Sequence, residues 1–240
     1  MENFRSEFAC PGQKPPYAES PSLPFGRNID MPWMSVEDWC QRVTRNLTDP
    51  ARDNARLVFM GDSITEAWPH SASDIWQQYV INFQALCLGI GGDQTQHLLW
   101  RLASGEVDQL SPEVLVLLIG VNNIGYGDWS ECETAAGIEA VLHDLRERLP
   151  DTEILHLAIF PAGEQATDPF RQKIQRTNEL LKNFRIPGVS FLDLGDAFLE
   201  EDQSISTDVM YDYLHPTKEG YRRWATALDG ELSMRLAKKS

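Results

Sequence analysis

Five short apolar runs punctuate the chain: Leu57–Met60, Ala85–Leu88, Val114–Ile119, Ile154–Ile159 and Val189–Leu192. None alternates in polarity, and each is flanked by polar or glycine-rich sequence. That is the pattern of strands buried on both faces of a parallel sheet. Amphipathic stretches separate the runs. The clearest, Thr134 to Leu149, sets Ile138, Val141, Leu142, Leu145 and Leu149 along one stripe, and Asp168–Phe184 and Thr217–Leu236 behave similarly. Ahead of the first run, Ser35 can cap a helix that carries Val36, Trp39, Cys40 and Val43 on one face. Strand and helix alternating in this way predict an α/β protein, a three-layer α/β/α sandwich around a five-stranded parallel sheet with right-handed crossovers. Six of the 14 prolines fall within residues 1–33. Residues 1–32 are therefore expected to form an extended Pro-rich arm, and residues 33–240 a single domain.

Composition narrows the partners. The 240 residues carry 21 Lys+Arg against 36 Asp+Glu, a formal charge of −15. Binding nucleic acid needs cationic side chains that release phosphate counterions, so no nucleic-acid partner is expected. The longest apolar run is strand-length, not the roughly 20 residues that cross a bilayer, so no stable membrane insertion is expected either. The first 20 residues show no apolar core of a signal peptide, and Cys10, Cys40, Cys87 and Cys132 are unevenly spaced with no C-x-x-C pair. The expectation is free thiols and a cytoplasmic location, with a Cys10–Cys40 bridge as the alternative. Asn46-Leu47-Thr48 matches a glycosylation sequon, read as a chance match. There is no H-E-x-x-H and no Cys/His cluster, so neither a metal nor a cofactor is expected.

In a parallel α/β sheet, ligands sit beyond the carboxyl ends of the strands. Gly61-Asp62-Ser63-Ile64-Thr65 follows the first run, Gly89-Ile90-Gly91-Gly92-Asp93 the second and Gly120-Val121-Asn122-Asn123 the third. Asp212-Tyr213-Leu214-His215 precedes the last helix. Each has an ordinary explanation alone: Asp62 or Asp93 as helix caps, Gly91-Gly92 and Asn122-Asn123 as turns, Asp-x-x-His as a surface pair. Together they supply a hydroxyl nucleophile, a backbone donor, an amide donor and a carboxylate–imidazole pair, the parts that acyl transfer requires. The glycine loop lacks a Walker Lys-Ser/Thr and the full dinucleotide fingerprint, which counts against a nucleotide-binding domain.

With these four blocks the sequence resembles the SGNH, or GDSL, hydrolase superfamily, named for the Ser, Gly, Asn and His present here as Ser63, Gly92, Asn122 and His215. It is most similar to the catalytic subunits of intracellular platelet-activating-factor acetylhydrolase and their bacterial relatives. The shared stretches are Trp33-Met34-Ser35, Gly89 to Asp93, His97 to Leu102, Gly137 to Ala140, Arg171 to Lys173 and Tyr211 to His215. Val121, where that group commonly has Thr, departs from the pattern, and the Pro-rich arm has no counterpart in it. The resemblance implies a flavodoxin-like sandwich and a serine esterase acting through an acyl-enzyme on a small-molecule ester. Ser63 is then the nucleophile, His215 the base and Asp212 its orienting carboxylate, with Asp193 and Asp196 as rivals for that last role. The Ser63 and Gly92 backbone N–H groups and the Asn122 amide form the oxyanion hole. Ile64, Val121 and Leu214 are either the wall of a short-chain, acetyl-sized acyl pocket or ordinary core. A homodimer is also implied, and a catalytically silent partner-binding subunit of the same fold is the competing reading. His156 and His97 are expected to be packed, and His70 and His143 exposed.

Overall fold

The computed structural model describes residues 18–236. Helix α1 (Val36–Thr48) opens the domain, capped as expected by Ser35, whose hydroxyl accepts the Asp38 N–H while the Asp38 carboxylate reaches back to the Ser35 N–H. The strands are β1 (Leu57–Gly61), β2 (Ala85–Gly89), β3 (Val114–Leu118), β4 (Glu153–Leu157) and β5 (Val189–Leu192). All are parallel, in the order β2-β1-β3-β4-β5. Between β1 and β2 lie two one-turn helices, α2 (Ser63–Glu66) and α3 (Trp68–Ser71), and then α4 (Ser73–Phe83). Helix α5 (Thr95–Ala103) follows β2; α6 (Val121–Gly125) and α7 (Glu131–Arg148) follow β3; α8 (Pro169–Leu181) follows β4; and α9 (Lys218–Leu236) ends the described chain. This is the sandwich that the periodicity predicts.

Three departures from the expected pattern stand out. The fourth apolar run outlasts its strand because Asn178 of α8 takes over the ladder's role at Ile159: its side chain accepts the Ile159 N–H at 2.9 Å and donates to the Ile159 carbonyl at 2.8 Å. β5, one of the two edge strands, is half-buried rather than covered on both faces, whereas the other edge strand, β2, is almost fully buried. Helix α7 starts three residues before the predicted Thr134, where Ser130 and Glu133 form a reciprocal cap.

Under β1 the core is aromatic. Trp68 packs on Trp224 with ring centroids 4.2 Å apart, and Phe59 meets Trp68, Trp76, Tyr79 and Trp224 edge-on. These contacts lock α9 against the α2–α4 segment. The Tyr221 hydroxyl of α9 donates to the Ile64 carbonyl at 2.8 Å, so α9 also braces the turn that carries Ser63. Gly89 completes the seating, since a Cβ there would run into the α2 backbone at Glu66. Among the described residues no helix is long and apolar enough to cross a membrane. Cys40 is disulfide-bonded; Cys10, its partner in the alternative sequence reading, lies outside the described residues. Cys87 and Cys132 are the free cysteines among those described, so the expectation of free thiols fails at Cys40. Asn46 is buried and donates to Glu106 at 3.0 Å, which leaves the sequon closed to a glycan.

Candidate active site

Ser63 is the first residue of α2, immediately beyond the carboxyl end of β1, with Asp62 as its cap. Its Oγ lies 2.9 Å from His215 Nε2, and His215 Nδ1 lies 2.7 Å from Asp212 Oδ2. The other carboxylate oxygen, Oδ1, accepts the backbone N–H groups of His215 at 2.7 Å and Leu214 at 3.2 Å. Partial burial pushes the Asp212 carboxyl up, but the backbone and side-chain hydrogen bonds from His215 outweigh it and hold the group below its ordinary value. The intervening turn takes a left-handed residue, Tyr213 at φ 62°. It is fixed by the Gly163 N–H donating to the Tyr213 carbonyl at 2.9 Å and the Tyr213 N–H donating to Met210 at 3.0 Å. Tyr211 stacks on the His215 ring, centroids 5.8 Å apart. The rival carboxylate Asp193 instead accepts the Gly195 N–H at 2.9 Å.

Gly92 and Asn122 come to the same place. Gly92 has φ +70°, and a Cβ there would also collide with the Trp33 ring, so glycine is required on both counts. The Asn122 amide is buried and donates to the Asp93 carbonyl at 3.0 Å, which ties the β3 end to the β2 loop and leaves its second N–H for a ligand. Ser63, Gly92, Asn122, Leu214 and His215 line one cavity of about 300 Å³, walled also by Trp33 and Met34. Ile64 and Val121 are placed elsewhere: both belong to the buried hydrophobic core.

Several residues that the sequence did not nominate hold this arrangement. Glu66 lines the same cavity, accepts the Gly91 N–H at 2.8 Å, and pairs with Arg42 at 2.5 Å and Arg45 at 3.3 Å. Asp93 is not the cap of α5, a role taken by Gln94. It is fully buried, with Arg101 at 2.7 Å, Trp39 Nε1 at 2.7 Å and Arg27 at 3.4 Å. Arg101, also fully buried, further donates to Glu106 at 2.9 Å, to the Gly61 carbonyl at 3.5 Å and to the Leu88 carbonyl. One guanidinium thus ties the ends of β1 and β2 to the glycine loop, and its two carboxylate partners keep it cationic. The sequence holds a trace of this: Arg101 sits among Leu98, Leu99, Trp100 and Leu102, and a cation in so apolar a turn needs a buried counter-charge.

Asp62 is buried with Oδ1 accepting the Ile64 N–H at 3.0 Å and Oδ2 unpartnered among the described residues. Burial pushes its carboxyl up to about 7, so near neutral pH the group beside Ser63 carries less than a full negative charge. His156 and His97 are both pushed down to about 3 by burial, and neither approaches Ser63 closely enough to hydrogen-bond it. Among the described residues, no group of three His, Cys, Asp or Glu is placed to hold a metal ion.

A serine, an imidazole and a carboxylate hydrogen-bonded in series at the carboxyl edge of a parallel sheet form the arrangement on which serine hydrolases work. The chain belongs to the GDSL-like lipase/acylhydrolase family, whose family model matches residues 59–223. It is 36% identical over 207 residues to the platelet-activating factor acetylhydrolase IB subunit alpha1 of Pongo abelii, spanning 85% of this chain and 84% of that one. It is 35% identical over 204 residues to the alpha2 subunit of Homo sapiens, spanning 84% and 86%. In structure it resembles a GDSL-like lipase from Bacteroides thetaiotaomicron, with a TM-score of 0.66, 24% identity, and coverage of 82% of this chain and 98% of that one. It also resembles an acetylxylan esterase from Geobacillus stearothermophilus, with a TM-score of 0.60, 18% identity, and coverage of 75% and 96%. At those identities the structural likenesses speak for the fold.

Proposed function

We propose that the protein is a serine esterase that hydrolyses short-chain, acetyl-sized carboxylic esters through an acyl-enzyme. The observation that carries this reading is the unbroken series from Ser63 Oγ through His215 to Asp212, at 2.9 and 2.7 Å, opening on the cavity that Gly92 and Asn122 also line. Ser63 attacks the ester carbonyl while His215 Nε2 takes its proton. Asp212 holds the imidazole tautomer with Nδ1–H toward the carboxylate and offsets the imidazolium charge. The developing oxyanion is met by the Ser63 and Gly92 backbone N–H groups and the free N–H of the Asn122 amide. His215 then returns its proton to the departing alcohol, and water attacks the acyl-Ser63 ester by the same route. Intact catalytic residues favour this over a catalytically silent subunit.

A cavity of about 300 Å³ is at the low end for small-molecule sites, and Leu214, Met34 and Trp33 close its apolar side. This size supports an acetyl preference, in keeping with the acetylhydrolase subunits that the chain resembles. The test is a series of nitrophenyl esters of rising acyl length. Turnover is expected to peak at acetate or propionate; a peak at octanoate or beyond would overturn the short-chain assignment, and no hydrolysis at any length would overturn the esterase.

Asn122 supplies a separate check. Replacing it by Ala should lower kcat by about 10²–10³ while KM changes little, because its free N–H is offered to charge that exists only in the transition state. A rise in KM at constant kcat would instead assign Asn122 to holding the loop through the Asp93 carbonyl.

A further inference from the structure

A second cavity, of about 440 Å³, adjoins the first. Trp33, Gly92 and Tyr126 line both, with the Trp33 and Tyr126 rings 6.3 Å apart. Residues ahead of α1 form its other wall, including Phe25, Arg27 and Ile29. They are tied to the oxyanion side of the site: the Phe25 N–H donates to Gln96 at 3.0 Å, Thr95 Oγ1 to the Pro21 carbonyl at 2.8 Å, and Arg27 to the Gly91 carbonyl at 2.9 Å. This wall is therefore anchored on the loop that carries Gly92.

The chemistry of the lining is selective. In a chain of charge −15, not one Asp or Glu among the described residues faces this cavity. The rings of Phe25, Trp33, Tyr126 and Trp129 do. Two of the polar groups on the lining offer N–H donors. Gln94 Oε1 is already used by Gln96 Nε2 at 2.6 Å and Trp129 Nε1 at 3.1 Å, which leaves the Gln94 amide nitrogen without a partner among the described residues. His97 Nδ1 accepts the Gln94 N–H at 3.1 Å, and because burial keeps the ring neutral its proton resides on Nε2. Flat apolar walls edged by N–H donors fit a ligand with a flat apolar face and oxygen acceptors along its rim.

We propose that this cavity is the leaving-group subsite, holding the alcohol portion of the ester when that portion is a pyranosyl or aryl alcohol. The inference rests on the esterase reading above. With the carbonyl oxygen at the Gly92 N–H, the alcohol oxygen is one bond from the carbonyl carbon, and the shared Trp33–Gly92–Tyr126 wall leads from there into the second cavity.

The test compares kcat/KM for methyl acetate, hexyl acetate, phenyl acetate and a monoacetylated methyl glucopyranoside, using the full chain and its Trp129→Ala and Trp129→Phe variants. Each rate is taken as a ratio to methyl acetate in the same protein, so the intrinsic reactivity of the leaving group cancels between proteins. Trp129→Ala should lower the phenyl or the glucopyranosyl ratio about tenfold, the size of a lost aromatic contact, and Trp129→Phe should restore most of it. Whichever ratio falls identifies the source of the ring. The proposal is overturned if neither ratio moves, or if the hexyl ratio falls as far, which would make the cavity an unselective apolar space. Calorimetric binding of phenol and of methyl glucopyranoside to Ser63→Ala protein reads the subsite without turnover. Binding there that Trp129→Ala removes would sustain the subsite even if no ester were hydrolysed, and no binding together with unmoved ratios would remove it.

Discussion

Ser63→Ala is expected to lower ester hydrolysis by at least about 10³-fold while leaving the protein folded. The two halves of this prediction come from different observations. The hydroxyl hydrogen-bonds the His215 imidazole at 2.9 Å, so its removal takes away the group that would become the acyl ester. The position itself does not depend on it: the α2 turn is capped by the Asp62 carboxylate on the Ile64 N–H and braced by Tyr221 on the Ile64 carbonyl. The unfolding free energy should therefore stay within about 0.5 kcal/mol of the parent, as for a substitution that breaks no packing. A fluorophosphonate should add once to the parent protein, on the peptide containing Ser63, and not to the variant. Substantial turnover by the alanine variant, or labelling at another residue, would remove Ser63 from the mechanism. Labelling also separates the enzyme from a silent subunit of the same fold.

How far the sequence carried can be seen in particular residues. Strands β1 to β4 were legible because both faces of each are largely covered, so apolar runs mark them; β5 was found by the same sign although it is only half-buried. The one-turn helices α2, α3 and α6 show no periodicity, since four or five residues are too few to define a stripe. The earlier start of α7 was readable, because Ser130-Glu-Cys-Glu133 is a capping box ahead of an apolar stripe. The residues around Ser63, Gly92, Asn122 and His215 stood out because a parallel sheet delivers its strand ends to one edge, where position in the chain becomes position in the site. Glu66, Arg27 and the Arg101 cluster did not. Arg101 meets Asp93, which lies ahead of α5 in the glycine loop, and the Gly61 carbonyl 40 residues away, contacts that the period of no single helix or strand encodes. Ile64 and Val121 are the pair the sequence left open between pocket wall and core: adjacency in sequence to a reactive residue says nothing of which way a side chain points, and both lie in the buried core.

Arg101→Met should cost about 3–5 kcal/mol of stability, out of the 5–15 kcal/mol typical of a folded domain. Methionine fills similar volume, so the loss is electrostatic: it removes the nearer counter-charge of the buried Asp93, which keeps only Arg27 at 3.4 Å, and the Arg101 counter-charge of the buried Glu106, and it leaves the Gly61 and Leu88 carbonyls short of a donor. Stranded buried carboxylates hold protons more tightly than they do in the unfolded chain. The native variant then binds more protons than its unfolded form, and its stability rises as pH falls. The deficit relative to the parent should therefore be largest near pH 8 and shrink toward pH 5 in urea titrations. A deficit below about 1 kcal/mol, or one that does not change with pH, would mean that the cluster relaxes and is not the electrostatic tie described above. Arg101→Lys should rescue only part of the loss, because an ammonium cannot span two carboxylates and two carbonyls as the planar guanidinium does. The same variants bear on activity. The Asp93 side chain is fixed by Arg101 and its backbone carbonyl receives the Asn122 amide. A fully buried guanidinium is thus placed to position the amide proposed above as an oxyanion donor. Under conditions where Arg101→Lys remains folded, kcat should fall while KM changes little, and a variant with lowered stability but parental kcat would confine Arg101 to the core.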